Sequence, residues 1–452
     1  MAKKQSKGSK AALERQDDPK AKLESAAFLA STRPVLKALQ ADLLARADGS
    51  ASIVAALRAR WGAETAAHRT ADVFEVWRRN LVAQVAAAWV LSVVFVRTLE
   101  DRGLLDRNRI AGPGALDSQQ QFLQLAPYLS ERDYLLEVFR ELTRIPAAAA
   151  MFDARHSLVW LLAPSAEGAK TLLALFRSPE ADAPGFRFGQ SDTRFLGDLY
   201  QDLDEDVRAR YALLQTPHFI ESFILDRTLE RSVEELGLDA TTMIDPTCGS
   251  GHFLLGAFER LFERRMVATP GLDRREAVGL ALEAVHGVDI NPYSIAIARV
   301  RLTLAALTNG GYAKLKLAPA LPLNLAVADS LLHRVGEGQA SFGDGHGHSL
   351  RAWKGEAFAL DEEDGAKELL AKRFTVVVGN PPYITVKDAA LREAYRVLYP
   401  RSAAGKYSVA APFTERFFGL AKNRGFVGMI TANSFMKREF GKKLIEEYLP
   451  TV

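Results

Sequence analysis

The feature that most restricts this chain is an alternation that begins near residue 192. Five brief apolar runs, Thr242–Ile244, Val285–Val288, Leu325–Val327, Phe374–Val378 and Phe426–Ile430, are separated by polar or Gly/Pro turns and mostly by helical patterns. Short apolar runs suit strands buried on both faces, and a helix between two strands returns the chain so that they run parallel. The pattern predicts an α/β domain with a mostly parallel sheet and helices on both sides. Such sheets bind ligands at the carboxyl ends of their strands, so chemistry is sought just after each run.

Upstream the character differs. From Ser25 to Asn108, and again from Asp117 to about Phe176, Ala, Leu and Val recur three and four apart, with a break at Ala111–Gly114. That spacing predicts a mainly helical domain. Residues 1–24 alternate charge, are poor in apolar side chains and are expected to form a disordered tail. Ser178 to Gly189, rich in Pro, Gly and Asp, reads as a linker. The expected organisation is a tail over 1–24, a helical domain over 25–190 and a catalytic domain over 191–452. The longest apolar run, Leu81 to Val96, is broken by Gln84 and Ser92 and is shorter than the roughly 20 residues a membrane span needs, so it reads as a buried helix with no membrane partner. MAKKQSKGSK at the start has no apolar core behind it and does not resemble a signal peptide. A single Cys excludes a disulfide framework and a Cys-based metal site, and it points to a reducing, cytoplasmic location.

Net charge is only +3, but it is unevenly spread. Between Lys372 and Lys443 there are 14 Lys or Arg against four acids, so that segment is +10 and the remainder −7. A basic module on a mildly acidic body suits binding to a phosphate backbone; a solvated basic surface is the equal alternative.

Four motifs follow the runs. Asp245-Pro246-Thr247-Cys248-Gly249-Ser250-Gly251 comes after the first, ahead of a helical stretch from Phe253 to Phe262. Its glycines let the backbone turn and approach a ligand closely, and the helix start behind them favours negative charge. It has neither the GxGxxG spacing of a dinucleotide site nor the Gly-Lys-Ser/Thr ending of a P-loop. Asp289-Ile290-Asn291-Pro292 closes the second run, where an acid can accept from two ribose hydroxyls, although an Asp there also serves as a helix cap. Asp329, in Ala328-Asp329-Ser330, could accept from an adenine amino group. Asn380-Pro381-Pro382-Tyr383 follows the fourth run. Two prolines fix the backbone and remove two N–H donors, which leaves carbonyl acceptors beside an amide and an aromatic ring. That set suits a planar –NH2 group: acceptors hold its hydrogens, draw its lone pair out of conjugation and aim it at an electrophile, while Tyr383 stacks on the ring that bears it.

On these residues the chain resembles the amino-methyltransferases that act on DNA. Asp245–Gly251 and Asn380–Tyr383 are similar to their motifs I and IV, and Thr216-Pro217, within Leu214–Phe219, is similar to motif X. Motif X ahead of motif I matches the gamma class, mainly adenine-N6 enzymes. Thr193–Leu229 and Lys406–Phe418 further resemble the adenine methyltransferases of phage-defence (BREX, phage growth limitation) systems, strongly from about residue 190 and loosely in the helical part. The resemblance implies a Rossmann-like fold and S-adenosyl-L-methionine as cofactor, with no metal and no covalent nucleophile. It implies duplex DNA and other defence subunits as partners. By it, Thr216, Pro217, Asp245, Pro246, Cys248, Gly249, Gly251, Asp289 (ribose), Ile290 and Asp329 (adenine side) hold the cofactor. Asn380, Pro381, Pro382 and Tyr383 hold the target amine. Cys248 lies in the cofactor loop, which argues against cytosine-C5 chemistry.

Gly425–Phe435 resembles the fifth strand of that fold, followed by one helix over Lys437–Tyr448. The family fold ends on two further strands, so the sheet is expected to be incomplete and the chain alone poorly stable and inactive. Two other readings stay open. One is a glutamine or ribosomal-RNA amino-methyltransferase; the other is a non-catalytic cofactor- or DNA-binding subunit. His346 and His348 read as a flexible Gly-rich loop, His252 as structural, and Lys387, Arg392, Arg396 and Arg401 as either phosphate grips or surface charge.

Overall fold

The computed structural model describes all residues except 1–18, 67–69, 71, 156, 179–184, 189–192, 194–195, 197–215, 333–362, 387–388 and 437–440. The histidines at 346 and 348 and Lys387 lie outside the described residues. The chain divides into two compact units, one over 1–56, 78–207 and 312–320 and the other over 57–77, 208–311 and 321–452. The two units interleave along the chain, so no single cut separates them.

The first unit is helical. Its elements are α1 (Pro19–Gly49), α2 (Ala51–Ala66), α3 (Phe74–Asp101), α4 (Ala115–Leu125), α5 (Glu131–Thr143), α6 (Pro146–Phe152) and α7 (Ala166–Leu175), with α2 from Leu57 onward and the start of α3 assigned to the second unit. The Leu81–Val96 run forms the middle of α3. This helix is long and apolar enough to cross a membrane, but it is buried within the protein, with Val85, Trp89, Val93 and Val96 fully covered. The expected linker is anchored where it is described. Phe186 and Phe188 pack edge-on against Phe28, and the Phe188 amide donates to Asp101 Oδ2 at 2.7 Å. Two aromatic rings so close to the Pro/Gly cluster outweigh its turn character.

The second unit carries the sheet. Its strands are β1 (Met243–Asp245), β2 (Val285–Asp289), β3 (Asn324–Val327), β4 (Phe374–Gly379) and β5 (Ala421–Met429), all parallel in the order β3-β2-β1-β4-β5. Around them lie α8 (His218–Arg227), α9 (Leu229–Leu236), α10 (His252–Ala268), α11 (Arg274–Glu283), α12 (Pro292–Asn309), α13 (Glu363–Ala371), α14 (Ala389–Leu398) and α15 (Ala410–Leu420). Successive strand residues point to opposite faces. Met243, Val376 and Val378 therefore join a core with α8 and α10–α12, while Ile244 and Val377 join another with α13–α15. This is the doubly covered parallel sheet that the apolar runs predict.

β5 begins earlier than its apolar run. Phe374 pairs with Ala421 and Val376 with Phe426, so Lys422–Gly425 bulge outward opposite Thr375, with Arg424 at φ 64°. The last expected helix lies partly outside the described residues, and its described end winds as a π turn over Leu444–Tyr448.

Candidate active site

The strand order fixes where the motifs meet. Asp329, Asp289, Asp245 and Asn380 each lie at or just past the carboxyl end of a strand, and β3, β2, β1 and β4 are adjacent in that order. Three inter-strand spacings of about 4.8 Å put roughly 14 Å between the first and last of these strands. The four polar groups thus share one edge of the sheet.

The glycine loop after β1 is held from both sides. The Cys248 amide donates to the Val288 carbonyl at 3.1 Å, and the Gly249 amide donates to Asp289 Oδ2 at 2.8 Å. From α12, Arg301 Nη1 donates to the Ser250 carbonyl at 2.6 Å. Gly251 has φ 82°, in the left-handed region, and a Cβ there would sit 3.1 Å from Ala298 Cβ. Only glycine meets both demands. The Cys248 side chain is buried in the apolar core beside Gly287, and burial first, then Asp289 and Asp245, raise its thiol pKa. Cys248 therefore gives the loop its backbone, with its sulfur turned to the core.

Asp245 is 1% exposed, and its Oδ1 accepts from the Thr247 amide at 2.9 Å and the Thr247 hydroxyl at 3.2 Å. Burial pushes its pKa up to about 8 against those two bonds, with the charge of Asp289 adding to the rise. Asp289 is half-buried, accepts from the Asn291 amide at 2.8 Å as well as from Gly249, and is raised to about 6 by desolvation. Neither acid forms an ion pair among the described residues. The helix cap after β2 is Asn291 rather than Asp289: Asn291 Oδ1 accepts from the Tyr293 amide at 2.9 Å at the start of α12. Asp289 is thereby released to tie the glycine loop to β2, with half-buried Ile290 between the two.

The amine turn opens at Gly379. A Cβ on this residue would stand 2.6 Å from Asp245 Oδ1 and 2.7 Å from Thr247 Oγ1, so the site closes around a missing side chain. Pro381 is buried, and Pro382 and Tyr383 are half-buried. Asn380 Nδ2 donates to Thr216 Oγ1 at 3.4 Å, and Asn380 Oδ1 accepts from the Tyr383 hydroxyl at 2.6 Å. Burial raises the Tyr383 pKa to about 12, which keeps that hydroxyl a donor. Thr216 is buried and Pro217, exposed, caps α8, so the segment read as motif X abuts the amide of motif IV.

Asp329 is buried, and its two oxygens accept from the Tyr395 hydroxyl and, at 2.9 Å, from the Leu331 amide. Sequence reasoning missed Tyr395, Thr247, Gly379 and Arg416. The pair Tyr395 and Tyr399, four apart on α14, was the available signal for the first of these. Arg416 also amends the basic-module expectation. It is 2% exposed and donates from Nε to the Ser330 carbonyl at 3.0 Å, so its charge is used inside the fold. Arg396 and Arg401 donate to the Gly405 and Glu447 carbonyls at 2.7 and 2.9 Å, and Arg392 to that of Val386 at 3.4 Å.

Known proteins resemble the chain in sequence and in fold. Residues 283–449 match the family model of the Eco57I restriction-modification methylase. The chain is 41% identical to the adenine-specific methyltransferase PglX of Streptomyces coelicolor over 94% of its own length and 37% of that protein. It is 24% identical to the type II methyltransferase M.BstVI of Geobacillus stearothermophilus over 52% of its length and 36% of that protein. The chain thus spans little more than a third of either relative. In fold it is similar to the DrdV–DNA complex, with a TM-score of 0.54 at 15% identity, over 95% of this chain and 38% of that one. The resemblance read from the motifs is borne out, and so is the α/β Rossmann-like methyltransferase fold with a helical N-terminal region. The likeness to PglX takes in most of the helical part too, further than the motifs alone suggested.

Proposed function

We propose that this protein transfers a methyl group from S-adenosyl-L-methionine to N6 of adenine in duplex DNA, as a cytoplasmic component of a phage-defence or restriction-modification system. The catalytic domain is read as 191–452, following a helical domain over 25–190 and a tail over 1–24. The observation that carries the reading is the Asn380 amide. It stands past the end of β4, flanked by Pro381 and Tyr383, on the sheet edge that also bears Asp245, Asp289 and Asp329.

The donor set suits the cofactor. Asp245 is a buried carboxylate with no ion pair among the described residues, so an ammonium group there would supply the charge that its raised pKa says is missing. Asp289 has the position for a ribose diol and Asp329 for an adenine amine. Thr216, Pro217, Pro246, Cys248, Gly249, Gly251 and Ile290 complete the pocket by backbone and shape. When bound, the cofactor supplies an electrophilic methyl carried on positive sulfur.

The rest of the chemistry belongs to the chain. The target adenine leaves the duplex at a cost of about a few kcal/mol. The carbonyls of Asn380 and Pro381 accept the two hydrogens of its amine and localise the nitrogen lone pair. The Tyr383 hydroxyl, bonded to Asn380 Oδ1, yields that acceptor to the amine, and its ring stacks on the base. Pro381 and Pro382 hold the acceptors rigid, so most of the rate comes from positioning.

The test is methyl transfer from labelled S-adenosylmethionine by the full-length protein and its Asn380→Ala variant. Unmethylated duplex DNA, total RNA and release-factor protein are offered, and the products are digested and identified. Label is expected as N6-methyladenine in DNA, falling by about 100-fold or more in the variant, as when a transition-state hydrogen-bond partner is removed. Label in RNA or protein would move the function to those substrates. Cofactor binding with no transfer to any of the three would favour a non-catalytic subunit.

A further inference from the structure

The turn after β3 is gripped residue by residue by the two helices that follow the amine turn. Tyr395, on α14, donates its hydroxyl to Asp329 Oδ2. Tyr399, one helical turn on, donates to the Leu331 carbonyl at 2.8 Å. Arg416, on α15, donates to the Ser330 carbonyl, and Ser330 Oγ passes the contact on to the Pro246 carbonyl in the glycine loop at 2.7 Å. All of these side chains are buried, Tyr395 at 4% and Asp329 at 9% exposure, so the bonds face little competition from water.

We propose that Tyr395 is a positioning residue for recognition of the cofactor's adenine amino group, acting through the Asp329 carboxylate. The inference rests on the reading of Asp329 as the adenine-side acid. A carboxylate side chain turns about its last torsion in a broad, shallow potential. Two donors from different directions, the Tyr395 hydroxyl on Oδ2 and the Leu331 amide on Oδ1, stop that rotation. A carboxylate has about four lone-pair sites, so donors of this kind orient the group without exhausting it. A fixed acceptor discriminates an amine from a carbonyl oxygen, because the carbonyl would face the carboxylate lone pair against lone pair. A carboxylate free to turn would relax away from the clash. The segment leaving the amine turn thus also sets how strictly the cofactor's base is read.

The experiment measures binding of two ligands to the full-length protein by calorimetry. One is S-adenosylhomocysteine; the other is S-inosylhomocysteine, which carries oxygen in place of the purine amine. The wild type is expected to prefer the adenosyl ligand. In Tyr395→Phe that preference should collapse by about tenfold, mainly through tighter binding of the inosyl ligand as the freed carboxylate turns away from its oxygen. Tyr399→Phe, which loses an equally buried hydroxyl bond to the next residues of the turn, should keep the preference. Thermal melts establish that both variants are folded. Equal weakening of both ligands in Tyr395→Phe, or no change in either, would overturn the proposal, because Tyr395 would then only pack. A wild type that binds the two ligands equally would overturn it as well, since Asp329 would not read the amine. A wild type that binds neither would sink the cofactor reading itself and the proposal with it.

Discussion

In the helical unit, Glu100 is 6% exposed and meets a full set of partners: Arg97, itself 1% exposed, and the amides of Arg109, Ile110 and Ala111. Arg97 in turn reaches Asp101 and the Ala111 carbonyl. In the sheet unit, Asp245 is still more deeply buried, yet among the described residues it receives only an amide and a hydroxyl from one neighbour, Thr247. Burial raises the pKa of both acids. For Glu100 the cation and the amides oppose the rise, while for Asp245 no cation does. The first arrangement ties a loop to a helix and is complete in itself. The second is a buried carboxyl group with no cation beside it among the described residues. Buried charge that is matched serves the architecture; a buried carboxyl with no cation beside it among the described residues, at a strand's carboxyl end, is what the proposed cofactor site rests on.

The comparison can be broken most directly at Glu100. Glu100→Gln takes from the buried Arg97 one of its two carboxylate partners, leaving Asp101 as the other, and should cost about 1–3 kcal/mol of stability in a denaturant titration. Asp245→Asn, by contrast, replaces a carboxyl group that burial already holds protonated below about pH 8. It should leave stability unchanged or raised while weakening cofactor binding. Loss of stability in Asp245→Asn comparable to that in Glu100→Gln would mean that Asp245 is structural too.

A smaller effect sharpens the same point through pH. The folded pKa of Asp245 is raised from 3.8 to about 8, so between these values the folded state holds a proton that the unfolded chain has released. Its contribution to stability is therefore present below about pH 4 and is lost as pH rises toward about 8. Asp289 acts in the same sense up to about pH 6. Of the resolved shifts at these acids, only that of Asp245 still operates between about pH 6.5 and 8. The ligand-free protein should melt at falling temperatures across that window, and Asp245→Asn should flatten the slope.

The smallest effect is on the acid side. His286 is buried on β2, with its ring edge-on to Phe374 and Nδ1 3.2 Å from the Met243 carbonyl, and desolvation lowers its pKa from 6.5 to about 4. The unfolded chain takes up a proton first as pH falls, so this contribution is present above about pH 6.5 and lost toward pH 4. His286→Phe should shallow the acid limb of the melting curve and leave the alkaline side alone.

Apolar runs and turn chemistry determined the strands, their parallel order of use and the helices between them, because burial on both faces of a sheet admits only short continuous apolar runs. They also determined the two motifs that carry the resemblance, since a glycine loop and an Asn-Pro-Pro-Tyr turn act through local backbone geometry. β5 started early because a bulge leaves no apolar signature, and the packing of Phe186 and Phe188 on Phe28 was not legible because it joins residues far apart in the chain. Only the tertiary structure decided which groups share a purpose. Thr216 meets Asn380 across 164 positions, Tyr395 meets Asp329 across 66, and Arg416 turns from a surface charge into an internal strut. Those contacts depend on strand order and helix packing, which assemble residues far apart in the chain, and no local pattern of residue types records them. The pKa values of Asp245 and Asp289 belong with them, because desolvation is a property of everything packed around a group.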